Sequence, residues 1–222
     1  MSVVVLKLGG RVAAEAARQA AVLRADGHDV VVVHGAGPQI TAELERRGIP
    51  VTFVAGRRVT TTDVLEVVRG SLAAVSAEVC AAIGPEAEPL WGDAIGLGAR
   101  HVEELGLVGD PVPSAPVAVT AALAAGRVPV VAPLGEGPLN VNADEAAAAL
   151  AVGLGAERIL FVTDVPGVLV DERVVDVLPA DEAEAGLRDG SFDGGIVPKL
   201  TAAIHAARGG VRATIGATEV PA

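Results

Sequence analysis

Lys7 and Lys199 are the only lysines in a chain whose other fifteen basic residues are arginine. Where a generic positive charge suffices, this composition uses arginine. A compact ammonium on a flexible stem does something a planar guanidinium cannot, above all against phosphate oxygens in a tight pocket. Both lysines lie near glycine pairs, in Lys7-Leu8-Gly9-Gly10 and in Gly194-Gly195-Ile196-Val197-Pro198-Lys199. Two isolated ammonium groups beside backbone without side chains point to chemistry on phosphoryl groups.

Four further stretches carry polar groups at junctions between elements. His34-Gly35-Ala36-Gly37-Pro38-Gln39 follows a β-branched run and opens a helix. Backbone N–H groups and the helix dipole at such a junction favour an anion, although a tight turn without a ligand fits the same residues. The stretch lacks the third glycine of a dinucleotide fingerprint, and neither lysine is followed by Ser or Thr as in a Walker A loop. Gly56-Arg57-Arg58-Val59-Thr60 precedes a long helix, and an arginine there either grips a carboxylate bidentately or lies in solvent. In Asn140-Val141-Asn142-Ala143-Asp144 the two amides and the carboxylate fit a simple cap of the following helix, which at least one provides; the functional reading has Asn140 bind polar groups of a substrate and Asp144 fix the ammonium of one or both lysines. Thr163-Asp164-Val165-Pro166-Gly167 ends a strand as a turn, a natural place for the edge of a nucleotide. The four histidines have no zinc-ligand spacing and read as structural or surface groups.

Positioning these groups requires elements that the hydrophobic pattern outlines. Val3–Leu6, Val30–Val33, Val128–Val131 and Ile159–Val162 are continuous apolar runs, expected of strands buried on both faces of a parallel sheet. Helices are expected over Arg11–Asp26, Gln39–Arg47, Thr61–Ile83 (capped by Thr61-Thr62-Asp63), Ala118–Ala125, Asp144–Leu154, Asp181–Arg188 and Lys199–Arg208. Short β-stretches fall near Val168–Val170 and Val174–Val175, and the last strand is Val211–Ile215. Glycines and prolines between Pro85 and Pro116 are too frequent for long elements. The alternation makes this an α/β chain with a mostly parallel sheet.

The bulk composition excludes several classes. At 222 residues with 51% hydrophobic content, the chain can bury a substantial core, yet no apolar run reaches membrane-spanning length. A net charge of −11 and four aromatic residues argue against nucleic-acid binding. The single cysteine, Cys80, excludes a disulfide framework, and no basic leader precedes the first strand, so a cytoplasmic address is expected.

In motif order the chain resembles the amino-acid kinase family, and within it most closely the acetylglutamate kinases. The match runs through KLGG at Lys7, HGAGPQI at His34, GRRVT at Gly56, LGLVGDP at Leu105, NVNADEAA at Asn140, TDVPGVL at Thr163 and GGIVPK ending at Lys199. The resemblance implies an open αβα sandwich with two lobes: about residues 1–135 for the acceptor and dimerisation, about 136–222 for ATP. It implies transfer of the γ-phosphoryl group to the side-chain carboxylate of N-acetyl-L-glutamate, with Mg²⁺ carried by the nucleotide and no metal site of the protein's own. Lys7 and Lys199 would neutralise the transferring phosphoryl and leaving group, with Asp144 orienting them. Gly9, Gly10, Gly35 and Ala36 would offer backbone N–H donors, and Arg58 with Asn140 would hold the acceptor. Thr163, Asp164 and Gly167 would border the nucleotide. Arg57 is expected to be exposed and to take neither role.

Three departures from the family pattern carry expectations. Relatives usually have glycine at position 36; if the backbone there needs φ > 0, Ala36 costs roughly 1 kcal/mol. Trp91–Arg100 is shorter than the usual central hairpin region that lids the substrate, and the chain stops soon after Ile215. An open lid admits two rivals: a kinase of a related acyl-amino acid such as aminoadipate, or of glutamate on a carrier protein. A non-catalytic nucleotide or amino-acid sensor is the reading from a different class. With the first strand beginning at about Ser2 or Val3, a homodimer through the Thr61–Ile83 helix is expected, without arginine feedback.

Overall fold

The computed structural model describes residues 2–9, 13–163 and 165–222. The expectations placed on Gly10 and Asp164, and the first residues of the expected first helix, lie outside these. The chain opens with β1 (Val3–Leu8), α1 (Ala13–Ala25), β2 (Asp29–His34) and α2 (Gly37–Arg46). A short hairpin of β3 (Phe53–Val54) and β4 (Arg57–Arg58) precedes α3 (Thr62–Ile83). Next come β5 (Ala87–Trp91), α4 (Gly92–Ile95), β6 (Ala99–His101), a 3-10 turn over Glu103–Leu105 and β7 (Val108–Pro111). Then α5 (Val117–Ala124) leads into β8 (Val128–Ala132), β9 (Leu134–Gly135) and β10 (Leu139–Val141). The remainder is α6 (Ala143–Gly153), β11 (Arg158–Val162), β12 (Leu169–Val170), β13 (Arg173–Val174), α7 (Ala180–Asp189), α8 (Ile196–Arg208), β14 (Arg212–Ile215) and β15 (Thr218–Val220).

Seven strands form the main sheet in the order β15-β14-β11-β1-β2-β8-β5, parallel throughout except for β15 against β14. β1 is the pivot. The chain leaves it through α1 toward β2 on one side, and β11 arrives on its other side after α6. Alternate residues of β1 therefore serve different layers. Val4, Leu6 and Leu8 join a cluster with α1, α2 and α3, whereas Val5 packs with Val31 and Val33 of β2 against the alanines of α6 and α8. Lys7 has the same parity as Val5, so it faces α6. Leaving the carboxyl ends of β1, β2 and β11 at such a reversal makes a crevice in open α/β sheets. The alanine content is what lets α6 lie close: its Ala146–Ala149 are all fully buried.

The expected elements are present, with differences that have physical reasons. α8 begins at Ile196 rather than Lys199, because Pro198 falls in the first turn, where no N–H partner is needed. β5 was hidden by Pro89, which this strand tolerates because it is an edge and pairs only with β8. Val211–Ile215 is not the last strand, since the chain turns back at Gly216 (φ +56) to add β15. The loose stretch from Pro85 to Pro116 also holds β6 and β7, which with β9 and β10 make a second, four-stranded sheet. β11 pairs with β1 over five positions, so the main sheet runs unbroken past residue 135.

Candidate active site

Lys7 lies at the carboxyl end of the pivot strand, 4% exposed, in register with Val33 and Phe161. Its Nζ is 2.7 Å from Asp144 Oδ1. Lys199, from the first turn of α8, places its Nζ 3.7 Å from the other oxygen, Oδ2. One carboxylate thus serves both lysines and leaves the group with a net positive charge. Asp144 can sit there because Asn142 caps α6: its Oδ1 accepts from the N–H of Asp144 at 2.8 Å and of Glu145 at 3.3 Å. A carboxylate in the first turn also complements the helix dipole. Burial is the largest influence on Lys7 and pulls its pKa below the ordinary 10.5; Asp144 opposes this and the Lys199 charge adds to it.

Two cavities meet at Lys199. The first, of about 630 Å³, is lined by Lys7, Gly9, Gly35, Ala36, Arg58, Asn140, Asp144 and Lys199, with Val68 and Leu72 of α3 behind. The second, of about 440 Å³, is lined by Thr163, Val165, Gly167, Leu169, Phe192 and Lys199. The residues expected at the acceptor line the first cavity together with Gly9, while Thr163 and Gly167, expected at the nucleotide, line the second; the two cavities share one lysine.

Arg58 enters the first cavity from β4. Its Nη2 donates to Thr41 Oγ1 at 2.8 Å, Phe53 stacks 4.6 Å from its guanidinium carbon, and Nη1 is buried without a partner. Among the described residues no carboxylate pairs with it. Burial pulls its pKa down from the ordinary arginine value, with no acid opposing. Thr60, to which the sequence pattern assigns no role, is fully buried and connects this arginine to Asn140. Its hydroxyl donates to Arg58 O at 2.8 Å and accepts from Asn140 Nδ2 at 2.9 Å. The backbone of Thr60 is clasped between Leu105 O and Leu107 N. That approach needs Gly106, where a Cβ would lie 2.4 Å from Thr60 O.

Several expectations are corrected here. Gly9 lines the cavity, but its N–H is committed to Val162 O at 3.1 Å and is not a free donor. Ala36 has φ −142°, so alanine carries no left-handed strain where β2 passes into α2. Gly167 lines the second cavity, and packing also requires glycine there: a Cβ would meet Val174 at 2.6 Å and Thr218 Oγ1 at 2.7 Å. None of Trp91–Arg100 lines the first cavity; instead Phe53, Gly56, Arg57 and Arg58 of the β3–β4 hairpin do. Arg57 is not an exposed bystander, being paired with Asp110 and Glu145 at 2.8 Å each. His34, in keeping with the structural reading of the histidines, is a core residue, 1% exposed and held near a pKa of about 4 by burial.

Residues 2–216 match the model of the amino acid kinase family. The chain belongs to that family. It is 43% identical to a protein of Rubrobacter xylanophilus named acetylglutamate kinase, over 97% of this chain and 88% of that one. A Frankia casuarinae protein of the same name is 42% identical over 94% of this chain, which spans 64% of that relative's length. Among solved structures, smu.665 from Streptococcus mutans superposes with a TM-score of 0.90 at 26% identity, covering 99% of this chain and 98% of that one. The open sandwich expected from the motifs is the fold of this amino acid kinase. Membership implies ATP as the phosphoryl donor, and the surplus positive charge between the two cavities suits a phosphate chain. No cluster of three or more His, Cys, Asp or Glu that could hold a metal occurs among the described residues, and no helix there is long and apolar enough to cross a membrane.

Proposed function

We infer that this protein transfers the γ-phosphoryl group of ATP to the side-chain carboxylate of N-acetyl-L-glutamate, giving an acyl phosphate and ADP. The observation that carries the reading is one buried carboxylate, Asp144, holding two lysines at the junction of two cavities, with an arginine free of any acid in the first. Arg58 takes the acceptor's α-carboxylate, and Asn140, oriented by Thr60, takes a polar group of the acceptor. The ionised side-chain carboxylate then faces Lys7. Its oxygen attacks the γ-phosphorus, the bond to the β–γ bridging oxygen breaks, and the electron pair stays on ADP. No proton moves, so no general base is required, and positioning with fixed charge supplies the catalysis.

Lys7 and Lys199 offset charge on the equatorial and leaving oxygens. Asp144 keeps both lysines aimed without cancelling them. The apolar side chains of the second cavity accept the base and sugar, with Thr163 at its border. Mg²⁺ would be carried by the nucleotide phosphates and would supply further charge neutralisation; Asp144 faces Lys7 at 2.7 Å and Lys199 at 3.7 Å, which fits a metal held mainly from the nucleotide side. Relatives named acetylglutamate kinase favour a free acetylated amino acid over a carrier-borne acceptor. We retain the homodimer through α3, whose outward face carries Gly70, Ala73, Ala74, Ala77 and Ala81, all exposed and small enough for close helix packing.

A hydroxamate assay for acyl phosphate, run with ATP and a panel of N-acylated acidic amino acids, tests the function. N-acetyl-L-glutamate should be the best acceptor. Preference for another member of the panel would reassign the substrate, and no acyl phosphate with any of them would remove the activity.

A further inference from the structure

Arg57 and Arg58 are adjacent on a strand, so their side chains leave the hairpin in opposite directions. Arg58 turns toward Thr41 of α2. Arg57 runs the other way, and one nitrogen, Nη2, lies 2.8 Å from both Asp110 Oδ1 and Glu145 Oε2. That single group joins β4, β7 and α6. Glu145 is mostly buried, and burial raises its pKa while Arg57 holds it down. The charge of Arg57 is favoured in turn: burial works against it, but Glu145 and Asp110 outweigh burial. Arg100 adds a contact to the other oxygen of Asp110 at 3.1 Å, out toward solvent.

The hairpin needs such a fastening. β3 and β4 pair only with each other, through Phe53 with Arg58 and Val54 with Arg57. Phe53 and Val54 are about half exposed. Beyond the Thr60 clasp at its base, nothing in the backbone ladders among the described residues ties the hairpin to the body of the protein. Glu145 follows Asp144 in the first turn of α6, and Asn142 caps both residues.

We propose that Arg57 is a positioning residue for the acceptor. By clamping Asp110 and Glu145 it holds the β3–β4 hairpin against the first cavity and sets the direction of Arg58. The same clamp ties the acceptor-binding strand to the helix that orients both lysines. This rests on the acceptor assignment above. Arg57 acts through Arg58 and the hairpin, not by touching the reacting atoms.

The test uses Arg57→Met, which keeps the aliphatic stem, with Arg57→Lys, Glu145→Gln and the double variant Arg57→Met/Glu145→Gln. Arg57→Met should raise the acceptor KM about tenfold, the scale of a lost charge-assisted contact, and leave the KM for ATP and most of kcat in place. Arg57→Lys should recover part of that KM. The double variant removes the carboxylate left unpaired, so it should regain thermal stability without regaining KM. Hydrogen exchange in the free protein should accelerate at the amides of residues 53–58 in Arg57→Met, with the middle of α6 unchanged. Wild-type acceptor KM and wild-type hairpin exchange in Arg57→Met would overturn the proposal. So would a double variant in which KM and stability return together, since Arg57 would then be structural only. If the wild-type protein fails to phosphorylate N-acetyl-L-glutamate while hairpin exchange responds as expected, the acceptor assignment fails and the clamp stands.

Discussion

The cavity around Lys7 sets charged and amide side chains that the fold has already buried and oriented among apolar ones such as Val68 and Leu72, whereas the cavity around Phe192 combines Val165, Leu169 and Ile196 with Thr163, Ser191 and Asp193. In the first, Asp144, Arg58, Asn140 and Thr60 are each held by a named contact from a helix cap, a strand or a clasped loop. In the second, Val165 and Leu169 are 39% and 52% exposed, and β12 and β13 pair only with each other. Charge placed before binding discriminates among small acids, because a wrong acceptor leaves a buried guanidinium unpaired. Under the proposed assignment, the second cavity has only to take a base, a sugar and a phosphate chain beside one lysine. The proposed function therefore places selectivity in the first cavity, with the lysines at the junction serving both.

The sharpest way to break that picture is at the junction. Lys7→Arg and Lys199→Arg should each lower kcat by at least about a hundredfold, the scale of losing one preorganised electrostatic donor. A guanidinium cannot reproduce a point charge 2.7 Å from Asp144 in a site that is 4% exposed. Near-wild-type turnover in either folded variant would remove the junction as the place of chemistry. Arg58→Ala tests the division between cavities. The acceptor KM should rise roughly tenfold to a hundredfold, as expected for a hydrogen bond to a charged group, with ATP binding little changed. Weakened ATP binding with an unmoved acceptor KM would put Arg58 on the wrong side.

The pH dependence sharpens the role of Lys7. Its folded pKa lies below the ordinary 10.5 because of burial first, so the charged form is lost before a typical lysine would titrate. As pH rises through that lowered value, kcat/KM should fall. Stability should move the other way: between the folded and unfolded pKa the unfolded chain binds more protons, so the Lys7 contribution makes Tm rise with pH in that window. Lys7→Met should abolish this rise, and a Tm that falls equally in both proteins would contradict it. The smallest expected effect is a baseline for both cavities. Thr61 accepts from Val64 N–H at the start of α3, and Thr61→Ala should cost about 1 kcal/mol and lower Tm by about 2–4 °C. Both KM values should move together or not at all; a change confined to the acceptor would show that this cavity alone depends on the packing of α3.

Much of the fold was legible because parallel strands buried on both faces leave unbroken β-branched runs, and alanine-rich helices between glycine and proline stops leave little ambiguity. β5, β9 and β15 were not. β5 is interrupted by Pro89 and pairs with the sequence-distant β8, whereas β9 and β15 are short partners of the neighbouring β10 and β14, so no local period marks any of them. The site was legible as residue types. Lysine scarcity singled out Lys7 and Lys199, and Asp144 stood in a polar run before a helix. Arg57 and Thr60 were not separated from surface residues, because what distinguishes them is a partner that sequence spacing does not reveal. The place of Trp91–Arg100 in the chain suggests a lid region, yet it is the β3–β4 hairpin that lines the first cavity.

The sequence by itself determined the alternation of elements, the unusual placement of two ammonium groups, and a backbone of motifs specific enough to name a family. Those are local properties: burial pattern, capping residues and glycine at turns. Only the tertiary structure decided that Asp144 would meet both lysines, that Gly9 would spend its N–H on Val162, and that Ala36 would sit at negative φ. It alone turned Arg57 inward to two carboxylates and Arg58 away from any. The reason is that β1, the pivot of the sheet, receives its neighbours from opposite ends of the chain, and the direction in which each side chain leaves its strand or helix is settled only when those neighbours arrive.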